Sequence, residues 1–218
     1  MVKLHRAAFA GIAFIAIAGL AATASAESAF NDFDHNTNGG FGYHNADPGS
    51  QISGPNIFGE EYLGEAMQFT SLASGELTSV DLALWLSAGQ VDVVLGAGLT
   101  PGLTELDSWT MISPPNGYSN SSEFMPTHLA ANENVQLTAG TTYWLEVLPD
   151  TQSTLAGWYS NSTGAVGARD SSDDCVWTPQ IGGYGAFDVS VTPEPFTLGL
   201  GAAGIALAIR RRFKSRRA

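Results

Sequence analysis

The sequence predicts an all-β protein: a single β-sandwich, jelly-roll-like, with an N-terminal signal peptide and a short C-terminal hydrophobic helix. Three observations lead there. Short runs of alternating apolar and polar residues recur through the middle of the chain, the period-two signature of half-buried strands. Clusters of Gly, Pro, Asn and Ser separate these runs, and such clusters make turns. No amphipathic helix of any length is evident outside the termini, which removes the layered α/β classes.

The chain opens with Lys3, His5 and Arg6, followed by an apolar run from Ala7 to Ala22 and the small residues Ala24, Ser25 and Ala26. A basic start, an apolar stretch and a small-x-small site are what signal peptidase requires, so residues 1–26 read as a cleavable leader with the cut before Glu27. A retained membrane anchor is the alternative. No cysteine follows the site, so lipid attachment at a new N-terminal cysteine is not available.

In the middle, strands are expected over Glu65–Thr70, Leu77–Leu86, Val91–Leu95, Leu106–Ile112, Asn134–Leu137, Thr142–Leu148, Ala156–Ser160 and Gly185–Val191. Leu82, Leu84 and Leu86 alternate with Ala83 and Trp85, and Phe187, Val189 and Val191 alternate with Asp188 and Ser190. Pro101-Gly102, Pro114-Pro115-Asn116-Gly117 and Ala139-Gly140 mark turns. Some eight short strands with such punctuation suggest a β-sandwich of the jelly-roll kind. The acidic sandwich domain is expected over residues 27–192.

The C-terminal segment, 193–218, runs Pro193-Glu194-Pro195, then an apolar stretch from Phe196 to Ile209, then Arg210, Arg211, Arg212, Lys214, Arg216 and Arg217. As a helix those 14 residues reach about 21 Å, short of a hydrocarbon core of roughly 30 Å. The basic block is expected to stay on the cytoplasmic side, which puts the middle domain outside. The prolines keep the approach extended.

Charge is segregated. Lys3, Arg6 and the six basic residues of the tail leave Arg169 as the one Lys or Arg between Glu27 and Thr192, against 20 acids, a formal charge of −19 for that stretch. Such a body repels phosphate backbones, so no nucleic-acid partner is expected. Anionic headgroups are disfavoured for the same reason. Cys175 is the only cysteine in 218 residues. No intramolecular disulfide can form, and the thiol reads as a small buried residue or as a link between two chains.

Pro193-Glu194-Pro195, the short apolar helix and the Arg210-Arg211-Arg212 cluster, in that order, resemble the PEP-CTERM sorting signal of exported bacterial proteins. The resemblance implies processing by signal peptidase and then by an exosortase, a membrane-embedded cysteine protease. It also implies a transient inner-membrane anchor through the C-terminal helix, and delivery to the cell surface or an exopolysaccharide matrix. An ordinary tail anchor that stays in place is the alternative. The middle is similar to choice-of-anchor type R β domains, through Glu65–Thr70, Leu106–Thr110, Leu137–Leu145, Gly157-Trp158 and Gly185–Val189. That likeness implies a fold and an address without an activity.

Candidate chemistry is sparse. Asp34, Asn36 and Asn38, followed by Gly39, space oxygen ligands like the first half of a calcium loop, but Asn45 stands where the bidentate Glu belongs. They read as an Asn-rich turn or as calcium ligands. Asp170, Asp173 and Asp174 read as a solvated loop or as a second calcium site. Calcium apart, no cofactor is expected. His35, His44 and His128 occur in no hydrolase motif, and no enzymatic activity is expected. A hydrolase would need converging carboxylates or a Cys–His pair. Trp85 and Trp144, inside strong strands, are expected in the core. Trp158, Tyr159 and Trp177 lie nearer loops and are candidates for stacking on sugar rings. The expectation is a non-enzymatic structural or adhesive surface component, with a carbohydrate- or calcium-dependent binding module as the alternative.

Overall fold

The computed structural model describes residues 25–33, 49–58, 62–112, 126–173 and 176–193. Residues 1–24 of the leader, most of the C-terminal tail and Asp34, Asn36 and Asn38 lie outside these. In chain order the strands are β1 (Glu27–Asn31), β2 (Ser50–Ser53), β3 (Leu63–Thr70), β4 (Gly75–Leu82), β5 (Leu84–Ala88), β6 (Gln90–Ala97) and β7 (Thr104–Ile112). There follow β8 (Thr127–Ala130), β9 (Gln136–Leu137), β10 (Thr142–Pro149), β11 (Leu155–Trp158), β12 (Val166–Asp173), β13 (Val176–Gly183) and β14 (Phe187–Pro193). A single helical turn, α1 (Pro55–Phe58), follows β2.

The strands form two antiparallel sheets packed as a sandwich. A five-stranded sheet runs β1–β14–β4–β8, with β9 also on β4. A nine-stranded sheet runs β5–β11–β2–β3–β10–β6–β7, with β12 on β3 and β13 on β12. The first and last strands are neighbours, Glu27 opposite Val191.

The segment Leu77–Leu86, expected as one strand, is two. Ala83 breaks it: its N–H donates to Ala186 O at 3.0 Å and its carbonyl accepts from Tyr159 N–H at 2.9 Å. The chain thereby leaves the five-stranded sheet at β4 and enters the nine-stranded sheet at β5. Leu82, Leu84 and Leu86 still reach one core, because that core lies between the two sheets. Strands β1, β2, β8, β12 and β13 were not expected from the sequence. The tract 166–183, read partly as a solvated loop, is a hairpin: β12 pairs with β13 from Val166 opposite Gly183 to Asp173 opposite Val176.

The core centres on Phe187, fully buried. It stacks on Phe30 at 4.5 Å and meets Phe69 and Trp158 at 5.7 Å each. Such ring pairs contribute beyond their buried area. Trp158 is 0% exposed and donates from its indole N–H to Ala186 O at 3.1 Å. The buried Trp109 likewise donates to Ala130 O at 2.6 Å. Away from the rings, the Asp107 carboxylate accepts the backbone N–H groups of Ser108 and Asn132 at 2.9 Å each, which pins the turn before β9 to β7.

Candidate functional site

Register decides which side chains can meet, since directly opposite residues of an antiparallel pair share a face. Met67 lies opposite Leu145 on one side and Arg169 on the other; Glu65 lies opposite Val147 and Ser171. Met67, Leu145 and Val147 belong to the main core. Glu65, Arg169 and Ser171 are therefore on the inner face of the nine-stranded sheet. Hairpin β12–β13 carries that face out past the covered core: Met67 is fully buried, while Thr178 and Gln180 on β13 are exposed.

At this mouth stands a polar cluster. Glu65 Oε1 is 3.8 Å from Arg169 Nη2, with the side chains 8% and 24% exposed. That separation is an ion pair but too long for a hydrogen bond. Arg169 Nη2 donates to Gln180 Oε1 at 3.2 Å, and Gln180 Nε2 donates to Ser171 Oγ at 2.6 Å. Glu65 Oε2 and Arg169 Nε are both buried without a hydrogen-bond partner. Burial pushes the Glu65 carboxyl up to about 7; the Arg169 charge and the Ser50 hydroxyl pull the other way and do not offset it.

The opposite face of the same sheet carries a second set. Glu146 and Asp170 lie on either side of Ala66, so their backbones are about 10 Å apart, two strand spacings. Glu146 Oε1 accepts the Gly102 N–H at 2.9 Å. Both carboxylates are buried, and desolvation raises the pKa of each. Trp144 shares this face. It is buried, as expected, but outside the core clusters, with its indole N–H unpartnered. Trp85 is half-buried and lies over Gly157, where an added Cβ would collide with its ring. Trp144 thus meets the expectation of burial, whereas Trp85 is only partly buried and packs against the small cluster of Phe33, Ala83, Tyr159 and Ala186.

Asp32, just past β1, is the third unusual carboxyl. Its Oδ1 accepts the Phe187 N–H at 2.7 Å, while Oδ2 is buried without a partner. Burial raises it to about 7, and Asp188 adds to the effect.

The stacking candidates divide. Trp158 is wholly enclosed and Tyr159 is 7% exposed, so neither offers a ring face to a sugar; the strand expected over Ala156–Ser160 is β11 (Leu155–Trp158), lying against the core. Trp177 is half-buried on β13, on the face shared with Asp170, beside the Gly102 turn. Asp170 is 3% exposed within β12, not in a solvated loop. Asp173 closes that strand, its side chain outside the described residues, as are Asp174 and Cys175. No group of three or more His, Cys, Asp and Glu able to hold a metal occurs among the described residues. His128 meets Asp81 at 2.8 Å on an exposed surface, a pair of small energetic weight. Ala26 and Glu27 are exposed at the start of β1 and Pro193 ends β14. Ala24, Glu194, Pro195 and Arg210 to Arg212 lie outside the described residues. No helix among those described is long and apolar enough to cross a membrane.

Sequence reasoning missed the mouth, although two signals were present. Glu65 shares its strand parity with Met67 and Phe69, an acid on an apolar face. Arg169 is the one cation of the body. Comparison with protein-family models, curated proteins and solved structures found no match.

Proposed function

We propose that this chain is an exported, non-enzymatic β-sandwich, processed by signal peptidase and an exosortase-type protease. It is delivered to the cell surface or an exopolysaccharide matrix, where it has a structural or adhesive role. The observation that carries the reading is charge segregation: basic residues flank the two apolar ends, and a single arginine stands among 20 acids between them. That distribution suits a body that crosses a membrane while its basic tail stays behind. Intact mass and fractionation of the native protein test the proposal. The expected product lacks residues 1–26 and the arginine block and is recovered outside the cell. A mature product retaining Arg210 to Arg212, or a folded body in the cytosol, refutes it.

A further inference from the structure

Hairpin β12–β13 is held to the sandwich along one side. Strand β12 pairs with β3 from Arg169 opposite Met67 to Asp173 opposite Leu63, and among the described residues β13 pairs with β12 alone. Most of β13 is exposed, and no residue of either strand belongs to the buried core clusters. An element with so little apolar burial can open without the rest of the domain.

The Glu65–Arg169 pair stands at the seam between β3 and β12, and its two heads differ in access to water. The Arg169 side chain is 24% exposed and its Nη2 donates to Gln180 on the exposed strand β13, so its charge reaches the rim. The Glu65 side chain is 8% exposed, with Oε2 enclosed and unpartnered. Facing Glu65 are Ser50 of β2, Val147 of β10, and Arg169 and Ser171 of β12. Of these only Arg169 is charged, and Glu146 and Asp170 lie on the other face of the sheet. The closed seam therefore suits a neutral Glu65 better than a charged one, and separation of β12 from β3 gives the charged form water.

We propose that hairpin β12–β13 is a pH-sensitive strap, lying against β3 while Glu65 is protonated and parting from it as the Glu65 carboxylate ionises. Burial raises the carboxyl from 4.5 to about 7, against the pull of Arg169 and Ser50. The closed hairpin thus holds the proton more tightly than the open one. Its contribution to closure is complete below pH 4.5 and is lost as pH rises through 7. Parting unpairs the β3 edge from Leu63 to Met67 and returns both heads to water. Asp170, on the outer face of β12, is also raised by burial and acts in the same direction, so the two acids need separate variants.

Hydrogen exchange of the full chain, followed amide by amide by NMR from pH 5 to pH 8 and corrected for base catalysis, tests the strap. Protection of the β12 amides paired with β3 is expected to fall about 10- to 70-fold over that range, the larger figure following from the interval 4.5 to about 7. Core amides at Val189 and Val191 should stay better protected than the hairpin at every pH. Glu65→Gln, which cannot ionise, is expected to remove the fall, as is the double variant Glu65→Leu/Arg169→Met; Asp170→Asn and Asp32→Asn should keep it. Hairpin protection that is constant from pH 5 to pH 8 in the wild type overturns the inference. So does a fall that survives both changes at Glu65, or one that disappears in Asp170→Asn. Exchange of hairpin and core amides at one common rate overturns it as well, because the hairpin would then open only with the whole domain.

Discussion

Replacing Asp32 by asparagine should change how stability depends on pH more than stability itself. The carboxyl of Asp32 is raised from an ordinary 3.8 to about 7, chiefly by burial. Because the folded state keeps its proton to higher pH than the unfolded chain does, the native protein binds more protons between roughly pH 4 and 7. Stability contributed by the protonated group is complete below pH 4 and is lost as pH rises through 7. The interval from 3.8 to about 7, at ~1.4 kcal/mol per unit, corresponds to about 4 kcal/mol. About 2–3 kcal/mol of it falls between pH 5 and pH 8. Water entering the ionised site reduces the measured figure. Asparagine keeps the oxygen that accepts the Phe187 N–H and cannot ionise. Its amide N–H₂ replaces an oxygen that already lacks a partner, a cost that does not vary with pH. Urea unfolding of wild type and Asp32→Asn at pH 5 and pH 8 gives the double difference. The variant should gain on wild type by about 2–3 kcal/mol from the lower pH to the higher. Parallel pH dependences for the two proteins, or a variant that loses ground at pH 8, refute the reasoning.

Gly185→Ala should cost about 1–3 kcal/mol by urea unfolding, because an added Cβ would stand 2.5 Å from the fully buried Trp158 ring, which has no room to retreat. A variant as stable as wild type would show that the core yields there. The double variant Glu65→Leu/Arg169→Met should unfold at a midpoint equal to or above that of wild type, since replacing a buried ion pair by apolar residues is often neutral or stabilising. A large loss of stability would assign the pair to holding the fold.

Strands with one face on the core were legible in the sequence. Phe187, Val189 and Val191 are all buried and the residues between them are not, as their alternation required. Strands β12 and β13 were not legible, because no continuous apolar face ties them to the core. Arg169 and Ser171 are half-buried, and Thr178, Pro179, Gln180 and Ile181 are exposed, so the period-two signal has nothing to report. The corner at Ala83 was hidden for the opposite reason. Alternation continues through Leu82, Leu84 and Leu86, since both sheets face one core and a change of sheet leaves no trace in hydrophobicity. Trp158 and Tyr159, though inside the expected strand Ala156–Ser160, read as stacking candidates because they lie near a loop. Their burial comes from long-range contacts with Gly185 and Ala186, which local composition does not encode.

Asp32, Glu65 and Asp107, buried acids that sequence reasoning overlooked, have a common physical origin. A body with 20 acids and one arginine can hold most carboxylates in water at little cost, so an acid taken out of water needs a separate reason. Asp107 has one, since it pins a turn through backbone N–H groups. Asp32 has half of one, with a single oxygen engaged. Glu65 has the weakest structural reason of the three. It occupies an inner-face position beside Met67, where an apolar side chain would pack, and it draws the only arginine of the body into an ion pair too long to be a hydrogen bond. A structural salt bridge would close to bonding distance and use both nitrogens and both oxygens. This one leaves Glu65 Oε2 and Arg169 Nε enclosed and unpartnered where the hairpin leaves the core, so the pair gives the fold less than its burial costs.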